Sequence, residues 1–216
     1  MNAITDIGQA VIRAGGREIF LNPSFLAMSR IGTPEQIVDA FVKVHAGHYP
    51  QHKISDPDTM RAISARCFGE MAEVAAIVVR QCAAEDIGDV IGSYSVAPSG
   101  RLTYKPGTIP IEDVIQLARH LIMHGVMGDQ PPEEADKSGD YSDKFDVRSF
   151  VYTAVAHLGM SEAEAWSMTM TSFRAAMSAK FPQKAKARIP TQQRYDETMD
   201  WAEKMLAIDA QRHGPH

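Results

Sequence analysis

The chain has 216 residues, 44% of them hydrophobic and 23% charged, which is enough apolar material to bury a core and argues against a disordered or fibrous class. Its 22 Lys and Arg against 27 Asp and Glu leave a formal charge of −5, which argues against a dedicated nucleic-acid or anionic-membrane surface built on a basic excess. The opening residues MNAITDIGQAVIRAGG lack a charged leader followed by an unbroken apolar run, and no stretch reaches the roughly 20 apolar residues needed to span a bilayer, so a globular protein of a cytosol with no membrane partner is expected.

In chain order, Ile4 to Ile12 and Arg17 to Leu21 read as strands around Gly15 and Gly16, a pair able to take the positive φ of a tight hairpin. A helix follows at TPEQIVDAFVKVHA, with Thr33 as cap, Pro34 at the first helical position, Gln36 completing a capping box, and Ile37, Ala40, Phe41 and Val44 on one stripe. The same logic starts a long helix after Asp56 and Pro57, increasingly apolar through Ala75 to Val79 and so expected at the centre of the fold. Cys67 and Cys82 both fall in that helix. At about 1.5 Å per residue they stand roughly 22 Å apart, beyond disulfide reach, and are expected to be reduced. A second hairpin is expected over GSYSVAPSGRLTYKPG, then a helix over IPIEDVIQLARHLIMHG closed by Gly125.

From Gly128 to Ser142 the composition turns to Pro, Gly, Ser and acidic residues with almost nothing to bury, which predicts a linker or long loop. Beyond it, DKFDVRSFVYTAVAHLG carries Val147, Val151, Ala154 and Leu158 on one helical stripe and stops at Gly159, while TQQRYDETMDWAEKMLAIDA carries Tyr195, Met199, Ala202 and Leu206. The expected fold is α+β and predominantly α-helical: N-terminal β-hairpin elements packed on a helical domain, followed by a C-terminal helical unit. Residues 1–128 form the N-terminal α+β domain of this reading, 129–142 an acidic linker or loop, and 143–216 the C-terminal helical region.

The sequence carries none of the constellations that announce catalysis. It has no G-x-x-x-x-G-K-[ST] phosphate loop, no G-x-G-x-x-G, no G-x-S-x-G elbow and no C-x-x-C zinc pair. His120 and His124 share a helix face four residues apart, but LIM separates them, so the base of H-E-x-x-H is missing and no third ligand is evident. A helix flank near its C-terminus is the simpler reading of that pair, and of His157 in another last turn. His45, His48 and His52 read as a solvated loop after a helix, Glu133, Glu134 and Asp136 as a solvated acidic run, and Arg101, Lys105 and Arg119 form no cluster. No cofactor, metal or nucleic-acid partner is expected.

The densest stretch is AHLGMSEAEAWSMTMTSFRAAMSAKFP, from Ala156 to Pro182. Ser161 and Glu164 make a capping box directly after the Gly159 stop, Thr169 offers a second cap, and Met168 is placed to staple onto Phe173. The second helix carries Phe173, Ala176, Met177 and Lys180 on one side and ends at Pro182. Two readings of its apolar residues stay open: Trp166 and Met168 close a compact three-segment corner, or Met160, Met168, Met170 and Met177 line an adaptable groove for a partner.

The strings HLGMSEAEAWSMT and TSFRAAMSAKFP resemble the C-terminal signature of phage tail assembly chaperones, in which a small-residue turn leads to W-x-M-T-x-x-E and another helix. Trp166, Met168 and Thr169 match that pattern, and Ser172 stands where the family has Glu. The stretches GGREIFLNPSFLAMSRIGTPEQIVDAF and YKPGTIPIEDVIQLARHLIMHGV resemble a family of uncharacterised proteins encoded in the tail modules of long-tailed phages. These resemblances imply a non-enzymatic chaperone in the host cell cytoplasm that binds the tape-measure protein, and with it tail-tube subunits, during tail morphogenesis. Trp166, Met168, Met170, Phe173 and Met177 are then the expected partner-binding residues. The alternatives are a structural minor tail or tail-completion protein retained in the virion, and an enzyme of unassigned type.

Overall fold

In the computed structural model, which describes residues 3–46, 56–97, 102–129 and 143–182, Gly15 and Gly16 take φ of 58° and 77° and close an antiparallel hairpin. Its strands are β1 (Ala10–Ala14) and β2 (Arg17–Leu21), in register from Ala10 opposite Leu21 to Ala14 opposite Arg17. Alternation buries Ile19 and Leu21. The strand expected from Ile4 begins only at Ala10, because Thr5–Ile7 form a 3₁₀ turn that ends on Gly8 at φ 89°. Gly8 lies so close to His124 that a Cβ there would fall 2.2 Å from the histidine Cβ, a contact between distant parts of the chain that a straight strand would not make.

The helical layer is built largely on legible caps. After a short helix α1 (Phe25–Ser29), Thr33 and Gln36 exchange the two bonds of a capping box at the start of α2 (Pro34–Ala46), whose Ile37, Ala40 and Val44 are buried. The carboxylate of Asp56 accepts the Thr59 amide at 2.8 Å and starts α3 (Pro57–Cys82). The C-terminal half of α3 buries Ala72, Ala75, Ala76, Val78 and Val79, and these small side chains let it sit close to its neighbours. Cys67 and Cys82 are both buried and form no disulfide, and burial pushes the Cys82 thiol well above its ordinary pKa, so it stays protonated and unreactive.

A four-residue helix α4 (Gly88–Ile91) leads into the second hairpin, β3 (Ser93–Val96) with β4 (Leu102–Lys105), which packs on α3. The first hairpin joins the same helix through a bridge between Leu21 and Ala83. Helix α5 (Ile111–Ile122) lies along α3 and buries Val114, Ile115, Ala118, Leu121 and Ile122. The fold is thus α+β and mainly helical, with two small antiparallel sheets of two strands each.

Gly125 does not close α5. The helix widens into a π-helical turn, Met123–Met127, and stops at Gly128, whose φ is 78° and whose amide donates to the Met123 carbonyl at 2.9 Å. Gly125 is needed for a different reason: a Cβ there would fall 2.6 Å from Sδ of Met28, which is fully buried in α1.

The last described helices are α6 (Val147–Leu158), α7 (Glu162–Ser167) and α8 (Met170–Lys180). Met1–Lys180 make one compact unit and Phe181–His216 a second, of which only residues 181 and 182 are described. The reason is an aromatic cluster across the expected boundary: Phe25 of α1 packs 5.9 Å from both Phe150 of α6 and Phe173 of α8, and Phe145 sits 5.2 Å from Phe150. Each such ring pair adds about 0.5–1.5 kcal/mol beyond its buried area. The acidic linker or loop expected at 129–142, apart from Asp129, and the helix expected around Tyr195 to Leu206 lie outside the described residues.

Steric contact with Met28 and helix capping make opposite demands at Gly125. Gly125→Ala should cost about 1–3 kcal/mol in urea unfolding and Gly125→Asn should cost more, whereas a C-cap role would make Asn the milder change.

Candidate functional site

The corner between α6 and α8 is assembled from local signals. Gly159 takes φ 70° and ends α6. Ser161 then caps α7 with a complete capping box: its hydroxyl accepts the Glu164 amide at 3.3 Å, and the Glu164 carboxylate accepts the Ser161 amide at 2.9 Å. The bonds from Ser161 hold the Glu164 carboxyl below its ordinary pKa. After the six residues of α7 the chain extends at Met168, and the buried hydroxyl of Thr169 accepts the Ser172 amide at 3.2 Å to start α8. Where the resembled pattern has Glu, the Ser172 hydroxyl instead bonds the Thr169 hydroxyl at 3.0 Å.

Two bonds fix this corner to the N-terminal part of the chain. The side-chain amide of Asn22 donates to the Ser167 carbonyl at 3.2 Å, and the backbone amide of Phe25 donates to the Met168 carbonyl at 2.8 Å. The five residues singled out from the sequence consequently do not share one open face. Met170 is 1% exposed and Phe173 7%, so both are core residues that hold the corner and cannot line an open groove. Met168 and Met177 are half-buried at the margin of the core, and Trp166 is half-buried beside a cleft.

That cleft has a volume of about 680 Å³. Its walls are the α1 to α2 turn with Ser29 and Gly32, the first turn of α2 with Pro34, Gln36 and Ile37, the start of α6 with Phe145, Val147 and Arg148, and Trp166 of α7. The amide of Phe145 donates to the Pro34 carbonyl at 3.0 Å, and Lys144 pairs with Glu35 at 3.4 Å, so the two helix starts are tied together. The indole N–H of Trp166 donates to Glu162 at 3.2 Å, which sets the ring in place. Of the five residues expected to meet a partner, the structure brings only Trp166 to this cleft. Ile37, Phe145, Val147 and Arg148 escaped sequence reading as site residues because each reads locally as a helix start or stripe.

His45, His120 and His124 make contacts within the fold. His124 is half-buried, its Nδ1 lies 2.8 Å from the Thr171 hydroxyl of α8, and its ring is 4.7 Å from that of His120. Burial, and then the neighbouring His120, push its pKa below the ordinary value. Among the described residues no group of three His, Cys, Asp or Glu side chains converges as a metal site. His45 stacks on Phe41 at 4.3 Å with its Nδ1 3.0 Å from the Phe41 carbonyl, and His48 and His52 lie outside the described residues. Arg119 is used internally, donating to the Val44 carbonyl at 2.8 Å. Among the described residues no helix is long and apolar enough to cross a membrane.

The arrangement defines a mainly helical α+β protein whose described cleft is apolar at its base and formed where two helices begin. The chain belongs to a family of unknown function, DUF6246, which matches residues 21–197. That span runs from the last residue of β2, so it takes in Asn22, Phe25, the corner and the cleft. No curated protein and no solved structure matches the chain to significance.

His124 makes stability depend on pH. Its folded-state pKa lies below that of the unfolded chain, so near pH 6 the unfolded state binds more protons and stability falls as pH drops through about 6.5. Urea unfolding between pH 7.5 and 5.5 should show this loss, and His124→Gln should flatten the slope. An unchanged slope in the variant would remove His124 as its source.

Proposed function

We propose that this protein is a non-enzymatic tail assembly chaperone of a long-tailed phage, acting in the host cytoplasm by binding the tape-measure protein and, with it, tail-tube subunits. The observation that carries this reading is the corner itself. The residues that resemble the chaperone signature, Trp166, Met168 and Thr169, are the ones that build the turn between α7 and α8 and set Trp166 beside an apolar cleft. A partner that presents an amphipathic helix needs such an apolar recess with a polar rim, and needs no catalytic group.

The buried positions refine which residues take part. Met170 and Phe173 support the corner from inside, and contact with a partner falls to Trp166 and its neighbours on the cleft. Met168 and Met177, half-buried at the core margin, supply side chains that can repack as a partner approaches.

The test is co-expression with the tape-measure protein encoded in the same tail module. The tape measure should stay in the soluble fraction and co-purify with this chain, and mass spectrometry of purified particles should not find the chain. A tape measure that is equally soluble alone and never co-purifies would refute the chaperone reading. Recovery of the chain from virions in stoichiometric amount would favour a structural tail protein.

A further inference from the structure

We infer that His120 and His124 form a two-histidine chelate for a divalent transition-metal ion, with copper(II) held most tightly, at the point where α5 widens into its π-helical turn. The inference stands apart from the chaperone reading and uses none of the cleft residues.

Geometry selects the pair. Two imidazoles that share one ion at metal–nitrogen distances of about 2.0–2.1 Å place their ring centres roughly 5 Å apart when the angle at the metal lies between square-planar and tetrahedral. The rings of His120 and His124 already stand 4.7 Å apart, inclined at 57°. His120 lies in the last turn of α5 and His124 in the widened turn that follows, and π-helical turns of this kind recur at functional sites.

The ring of His124 is oriented from the far side. Its Nδ1 is 2.8 Å from the Thr171 hydroxyl of α8, and the tautomer that donates from Nδ1 to that oxygen keeps its lone pair on Nε2, the nitrogen left for a metal. Such a bond from the second ring nitrogen is how metal-binding histidines are held in direction and tautomer. On another side the His124 Cβ packs directly over Gly8, where a side chain on the glycine would fall 2.2 Å away. Among the described residues His120 has no hydrogen-bond partner, so its ring is uncommitted.

Charge decides less than coordination does. Asp129 acts electrostatically on His124 and attracts a cation, while Arg174, one turn along α8 from Thr171, lies against Gly128 and opposes one. Imidazole nitrogen ranks copper(II) above nickel and zinc, whereas magnesium and calcium take oxygen ligands. No third His, Cys, Asp or Glu converges here among the described residues, so water fills the other positions and the ion stays exchangeable.

The test is calorimetric titration of the full, untagged chain with copper(II), zinc and magnesium chlorides at pH 7.5. One copper(II) per chain should bind more tightly than any further copper, zinc should bind the same site more weakly, and magnesium should give no binding. His120→Gln, which breaks no hydrogen bond and so keeps the fold, should weaken that site more than tenfold, and His124→Gln should do the same. Thr171→Val keeps both ligands and removes only the bond that orients His124, so it should weaken the site by about tenfold. A purely structural pair would change stability in these variants without changing metal uptake. Absence of a tight copper site, or one of equal affinity in both glutamine variants and therefore built from the other histidines of the chain, would overturn the proposal.

Discussion

The backbone amide of Phe25 donates to the carbonyl of Met168, and the ring of Phe25 is closed against Phe150 and Phe173. Much of the described structure depends on that contact. Helix α1 has five residues and α7 six, far below the length at which isolated helices persist in water. Each exists because it is docked on the other side of the same junction. The bond also supplies a partner for the first free N–H of α1, a group that would otherwise be buried unsatisfied beside a fully buried ring.

From this junction the cleft follows. With Met168 pinned, α7 is held at a fixed angle to α1 and Trp166 stands over the turn that leads to α2. Phe150 lies in the same ring cluster and fixes α6, while Phe145 bonds Pro34 and brings the start of α6 against the start of α2. Two helix starts and one tryptophan therefore meet at a place determined by packing elsewhere. This is why core residues of the motif matter to a surface they do not touch. Truncating Phe173 would disturb the cleft by releasing α8, and an apolar recess is as good a recognition site as the core beneath it is rigid.

What was legible in the sequence was local. The Gly15–Gly16 turn, the capping boxes at Thr33 and Ser161, the Asp56 and Thr169 caps and the Gly159 stop each depend on residues a few positions apart, and each stands as read. Gly125 was misread because its reason is Met28, nearly a hundred residues earlier, while Gly128 with its positive φ carries out the stop. Helix α1 went unread although Ser24 caps it at 3.2 Å, because five residues give no period. The break at 129–142 was real in composition, but composition does not reveal that Phe25 will pack with Phe150 and Phe173. Of the five residues expected to form or support a partner-binding groove, Met170 and Phe173 are buried, and the residues that wall the cleft look in the sequence like ordinary helix starts.

One observable separates a single cooperative unit from a core with a C-terminal appendage. Native-state hydrogen exchange should give the Phe25 amide and the interior amides of α6 and α8 the same opening free energy as those of α3 and α5, because breaking the Phe25 junction unfolds the whole. Exchange of Phe25, α6 and α8 through a lower-energy opening that leaves α3 and α5 protected would contradict this, and would detach the cleft from the core held here to create it.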